Sequence, residues 1–173
     1  MSRHRSSING MDLRNRLMLA LVPALFGLLT IGGIVLATPS LGVTSTPLAT
    51  GSLDPVNLNV KTGDWKVQLR TKGQTDVTVV ENRVAPGGTF GWHSHPGPSL
   101  IVVKAGTLTF YHGDDASCTP HIYQAGDALV DTGNDVHAGR NEGTVEVVVI
   151  VTRLLPAGAA PRIDQPDPGT CGF

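Results

Sequence analysis

Residues 87–106 read GGTFGWHSHPGPSLIVVKAG. Two glycines open the stretch, Pro96-Gly97-Pro98 divides it and Gly106 closes it, so a tight turn joins two short extended segments. His93 and His95 are two residues apart. Successive side chains leave a strand on opposite faces, so these two imidazoles leave the same face and can share one ion. Beyond the turn, Leu100-Ile101-Val102-Val103 is a β-branched apolar run of strand character. By itself an HxH pair of this kind is more often incidental than metal-binding.

A second stretch, residues 126–141, reads GDALVDTGNDVHAGRN and carries one histidine, His137, after a turn at Gly133-Asn134. Together the two stretches resemble the paired motifs of the cupin superfamily. Gly87, His93, His95 and Gly106 fit the first pattern, G-x5-H-x-H-x3,4-E-x6-G. Gly126, His137 and Asn141 fit the second, G-x5-P-x-G-x2-H-x3-N, with Thr132 in place of Pro and Asn134 in place of Gly. Asn tolerates the left-handed backbone that Gly supplies, so the last change is mild. The resemblance spans about residues 64–155. It implies an all-β fold, an antiparallel jelly-roll-like barrel, with His93, His95 and His137 as ligands of one divalent transition metal.

One departure bears on the chemistry. The family's glutamate ligand falls at Ser99 or Leu100 here, so only the three histidines carry over. Three neutral imidazoles leave the ion's charge uncompensated and at least one coordination position open. Such a site favours a small anionic or bidentate organic ligand. Imidazole suits Zn, Cu, Fe and Ni about equally well and Mn is a further candidate, so the residues do not name the ion. Two readings stay open: a metal-dependent dioxygenase acting on a small molecule, and a barrel that binds a ligand or metal without turnover. If His93 and His95 point inward, parity places Thr89 and Gly91 on the pocket wall. Ser99, Ile101 and Val103 line it from the next strand, and Asn141 from the strand after His137. The same parity turns Phe90 and Trp92 outward, against another sheet or the second subunit of a homodimer.

Working outward, apolar β-rich runs recur at residues 65–69, 77–84, 107–111, 122–124, 128–130 and 145–155, separated by Gly- and Pro-containing turns. None keeps a helical period for a dozen residues, and short evenly spaced strands imply a sandwich or closed barrel. The expected organisation is a basic tail over residues 1–16, an apolar segment over 17–37, a linker over 38–60 with room for a first edge strand at its end, the barrel over 61–155 and a Pro-rich tail over 156–173. The apolar segment is free of charge and preceded by Arg14 and Arg16, which predicts a hydrophobic helix and export of the domain beyond it. It serves either as a retained membrane anchor or as a signal cleaved near Ala37. In an oxidising compartment, Cys118 and Cys171 are expected to form a disulfide.

Charge excludes one class of partner. Four of the 13 basic residues and one of the 14 acidic ones precede residue 38, leaving nine against thirteen, a net of −4. A domain so balanced lacks the basic face that nucleic acid requires. Phosphate-binding loops and nucleophile elbows are absent from the sequence. His112 and His121 flank an acidic loop and read as surface residues, while Glu81, Lys104, Glu142 and Arg140 have no spacing that assigns them a role.

Overall fold

Val, Ile and Thr favour extended backbone. The runs rich in them form the principal strands of the computed structural model, which describes residues 37–173. Its twelve strands are, in chain order, β1 (Leu41–Leu53), β2 (Asn57–Thr62), β3 (Trp65–Arg70), β4 (Thr75–Thr89), β5 (His93–Ser94), β6 (Ser99–Ala105), β7 (Thr107–His112), β8 (His121–Gln124), β9 (Ala128–Asp131), β10 (His137–Arg140), β11 (Val147–Pro156) and β12 (Ile163–Asp164). No helix occurs among the described residues, and none there is long and apolar enough to cross a membrane. The expected hydrophobic helix lies outside them, apart from Ala37, which makes an isolated bridge to Pro166.

All pairings are antiparallel. One face of the barrel runs β1-β4-β11-β6-β9 and the other β8-β7-β10-β5-β12, joined where Thr89 of β4 meets Arg140 of β10. Strand alternation sends Val84, Ile101, Val103, Leu129, Val147, Val149 and Val151 of the first sheet inward against Leu108 and Phe110 of the second. Each such side chain, fully buried, contributes about 1.5–3 kcal/mol. The nearly closed antiparallel barrel agrees with the expected all-β architecture. Strands β2 and β3 form a separate hairpin that turns at Gly63, where φ is +58°.

Two expected boundaries are corrected. Most of the supposed linker over residues 38–60 is strand: β1 pairs with β4 along thirteen residues and β2 begins at Asn57. β1 shows no alternating apolar pattern because it is an exposed edge strand, held by backbone hydrogen bonds rather than by a buried face. Pro47 is tolerated there, beside a register shift, because an edge strand has N–H groups to spare. The domain also does not end at residue 155. β12 pairs with β5, and Cys118 is joined to Cys171 by a disulfide with Cα atoms 5.2 Å apart. Residues 156–173 are therefore part of the folded unit.

Candidate metal centre

Strand pairing brings the three histidines together. β5 is only two residues long and lies between β10 and β12, with His137 directly opposite His93 in the ladder. His95 comes at once after it, its backbone N–H donating to the Gly133 carbonyl at 2.8 Å. All three imidazoles are buried, with ring centroids 4.4–5.3 Å apart. Phe110 stacks on His137 at 5.0 Å and fixes its plane.

Hydrogen bonding sets the tautomers. Nδ1 of His93 faces the Gly91 carbonyl at 2.9 Å, Nδ1 of His95 the Pro161 carbonyl at 2.6 Å, and Nδ1 of His137 the Asp135 carbonyl at 3.0 Å. A carbonyl accepts only, so each ring carries its hydrogen on Nδ1 and keeps the Nε2 lone pair free. One ligand atom from each ring lies within 4.8 Å of the others. Burial pushes the His93 pKa down to about 2, helped by the neighbouring His137 and by Arg162. Burial also takes His95 down to about 4, against the opposing pull of the Pro161 carbonyl and Asp131, and lowers His137. Neutral imidazoles with convergent lone pairs are the state a divalent ion requires.

A fourth polar group completes the cluster. Asp131, the last residue of β9, is fully buried. Its Oδ1 accepts from the Gly133 N–H at 2.8 Å, while Oδ2 lies 3.3 Å from His95 Nε2 and 3.4 Å from His137 Nε2 and has no hydrogen-bond partner. The motif spacing does not single it out. A signal exists in Ala128-Leu129-Val130-Asp131, whose alternation puts Asp131 on the same inward face as Leu129.

The histidines floor a cavity of about 40 Å³ walled by Phe90, Ser99, Ile101, Phe110 and Val149, with Arg153 at its side. An adjoining hollow of about 140 Å³ shares His93, His95 and Arg153 and adds Arg162. Arg153 makes no ion pair among the described residues, and its Nε is buried without a partner. Burial lowers its pKa, yet not enough to remove the charge of a guanidinium near neutrality.

The cupin domain family matches residues 80–153, the segment that carries both histidine motifs. This segment is a cupin domain. Solved structures similar to this cupin include a double-stranded β-helix protein from Klebsiella pneumoniae, 21% identical, covering 65% of this chain and 85% of that one with a TM-score of 0.44. A cupin-like protein from Thermotoga maritima is 21% identical over 56% and 79% of the two chains, with a TM-score of 0.46. A cupin-2 domain from Rhodospirillum rubrum is 13% identical over 73% and 68%, with a TM-score of 0.49. No curated protein matches the sequence.

The cupin's expected pocket wall divides. Ser99 and Ile101 line the cavity. Thr89 and Gly91 instead line a hollow beside Phe173 on the other side of the backbone, and Phe90 takes the inward place. Parity fails there because β4 ends at Thr89 and Gly91 turns left-handed at φ +68°, which breaks the alternation between Thr89 and His93. Val103 is one layer removed, in the apolar core. Asn141 lies past the end of β10. Its amide donates to the Val84 and Val145 carbonyls and its oxygen accepts from the Gly143 N–H, so it clamps loops rather than facing the cavity.

Nor do Phe90 and Trp92 offer a subunit surface. Trp92 is buried with Cys171 and stacks on Phe173. Outside the site, Glu81 pairs with Arg83 and Lys104, Glu142 with Tyr111 and Arg140, and His112 with Asp135. None of these pairs lines the cavity.

Proposed function

We propose that this cupin holds one divalent transition ion on His93, His95 and His137 and takes a small anionic organic molecule beside it. The observation that carries this reading is the set of three buried imidazoles, each with Nδ1 committed to a carbonyl and Nε2 left free. The donor set fits a metal: neutral nitrogen ligands, oriented by second hydrogen bonds of the kind that metal-binding histidines make. When bound, such an ion supplies Lewis acidity or, if redox-active, oxygenase chemistry on a chelating substrate. Arg153, without an ion pair among the described residues, supplies charge complementary to an anion at the mouth, whereas Arg162 beside it is paired with Asp164. Phe90, Ile101, Phe110 and Val149 exclude water around the anion.

A second reading, capture without turnover, is favoured by the lining itself. Apart from Asp131 behind the histidines, the ionisable side chains at the cavity are the three histidines and Arg153, and no thiol or phenol of the wall stands ready as acid or base. Export of the domain is part of the proposal, supported by the uncharged run at residues 17–37 and by the disulfide, which suits an oxidising compartment. Metal analysis of the purified full chain, followed by titration of the loaded protein with small mono- and dicarboxylates, tests the site. One equivalent of metal and saturable carboxylate binding that weakens in Arg153→Met is the expected outcome. A chain that stays metal-free after incubation with each candidate ion overturns it.

A further inference from the structure

We infer that Asp131 is the fourth protein ligand of the metal, delivered across the β6–β9 ladder in place of the carboxylate that Ser99 lacks. The inference rests on the metal reading above and adds a residue that the histidine motifs do not contain.

Register comes first. Ser99 and Asp131 are Cα partners in the antiparallel pair β6–β9. Residues directly opposite each other on antiparallel strands project from the same face, so a carboxylate on either rung reaches the same space. Ser99 is fully buried and its Oγ has no hydrogen-bond partner. A short side chain on one rung leaves room for the longer one on its partner.

The unsatisfied oxygen comes second. Asp131 uses Oδ1 to hold the Gly133 N–H, a task that Asn would perform equally well. The feature specific to Asp is Oδ2, buried without a hydrogen-bond partner and aimed at two Nε2 atoms. Because the ring hydrogens sit on Nδ1, those Nε2 atoms present lone pairs. Lone pairs of a carboxylate and two imidazoles converging in a buried space repel one another unless a proton or a metal cation stands among them.

Distance supplies the third point. Two ligands about 2.0–2.1 Å from a tetrahedral ion stand about 3.3–3.4 Å apart. Oδ2 lies 3.3 and 3.4 Å from the His95 and His137 nitrogens, matching the two edges that join it to those ligands in such a polyhedron. A bound carboxylate cuts the net charge of the centre from +2 to +1 and leaves fewer positions for exogenous ligands than three histidines alone.

The test compares full-length wild type, Asp131→Asn and Ser99→Ala, each stripped with chelator and titrated with Co(II), and with Zn(II) in competition. Wild type and Ser99→Ala are expected to bind one ion with affinities within a few-fold of each other and the same visible Co(II) spectrum. Asp131→Asn is expected to lose more than about 100-fold in affinity, exceeding the loss typical of a group that only orients a ligand, and to show altered Co(II) bands. Its metal-free melting temperature is expected to hold or rise, since the new amide can donate to an Nε2. Wild-type affinity and spectrum in Asp131→Asn would overturn this inference and leave the three-histidine site standing. A wild type that binds neither ion would overturn the underlying metal reading instead. Should Asp131→Asn fail to fold, infrared difference spectra of wild type carrying 13C-aspartate decide: a carboxylate band that shifts on adding Zn(II) supports the ligand, and one that does not shift refutes it.

Discussion

Burying neutral imidazoles makes the metal-free protein sensitive to acid in a defined window. An unfolded histidine takes up its proton near pH 6.5, whereas folded His95 does so only near 4 and His93 near 2. Between pH 6.5 and 4 the unfolded chain binds more protons, so stability falls as pH falls, by up to about 1.4 kcal/mol per pH unit for each imidazole. Urea unfolding of chelator-treated protein across that range is expected to show the slope, and His93→Ala to flatten it. At pH 7, His95→Ala is expected to abolish metal binding while the far-ultraviolet circular dichroism stays that of wild type. It also strands the Pro161 carbonyl, at a cost of about 1–3 kcal/mol in unfolding free energy. The three histidines were legible because their spacing is local: two on one strand face, the third at a fixed distance from a turn glycine. Asp131 was not, because its role depends on which residue faces Ser99 across a ladder, and register between strands thirty residues apart is not written in either strand alone.

β6 announced itself by its buried face, whereas β1, held by backbone alone, did not. β6, with Ser99, Ile101 and Val103 inward and Leu100 and Val102 outward, has the period of two that a half-buried strand imposes. β1 has almost no buried side chains, so its thirteen residues resemble linker although it runs the length of β4. Gly91 shows how much one turn position decides. A Cβ there would stand 2.4 Å from the Thr38 carbonyl oxygen, and the backbone is left-handed. Gly91→Ala is expected to lower stability by at least about 1–2 kcal/mol. Because the Gly91 carbonyl also holds His93 Nδ1, the same variant is expected to bind Zn(II) more weakly, a pairing that thermal melts and metal titration check together.

At the scale of the molecule, the first and last described segments meet over the site. Thr38 donates through its N–H to the Gln165 carbonyl and accepts through Oγ1 from the Trp92 N–H, while Gln165 donates to the Trp92 carbonyl and to Ser94 Oγ. The disulfide closes a loop of 53 residues around this junction, a constraint of about 4 kcal/mol in the chain-entropy model. Cys171→Ser is expected to lose a comparable amount, measured by urea unfolding under oxidising conditions. Fractionation of cells expressing the full chain checks export: the domain is expected in the membrane or extracytoplasmic fraction, and a soluble cytoplasmic pool would refute it. The tail that carries Cys171 also carries Pro161, whose carbonyl orients His95, and Asp164, the ladder partner of His93. The site is therefore finished by residues that follow every histidine strand in the chain, and is tightened by a bond that forms only where thiols oxidise. On the proposed function, metal loading would acquire an order in time: the ion would enter after oxidation, drawn from the supply of the compartment where the cysteines pair. Reduced, refolded chain is expected to take up Zn(II) more weakly than oxidised chain.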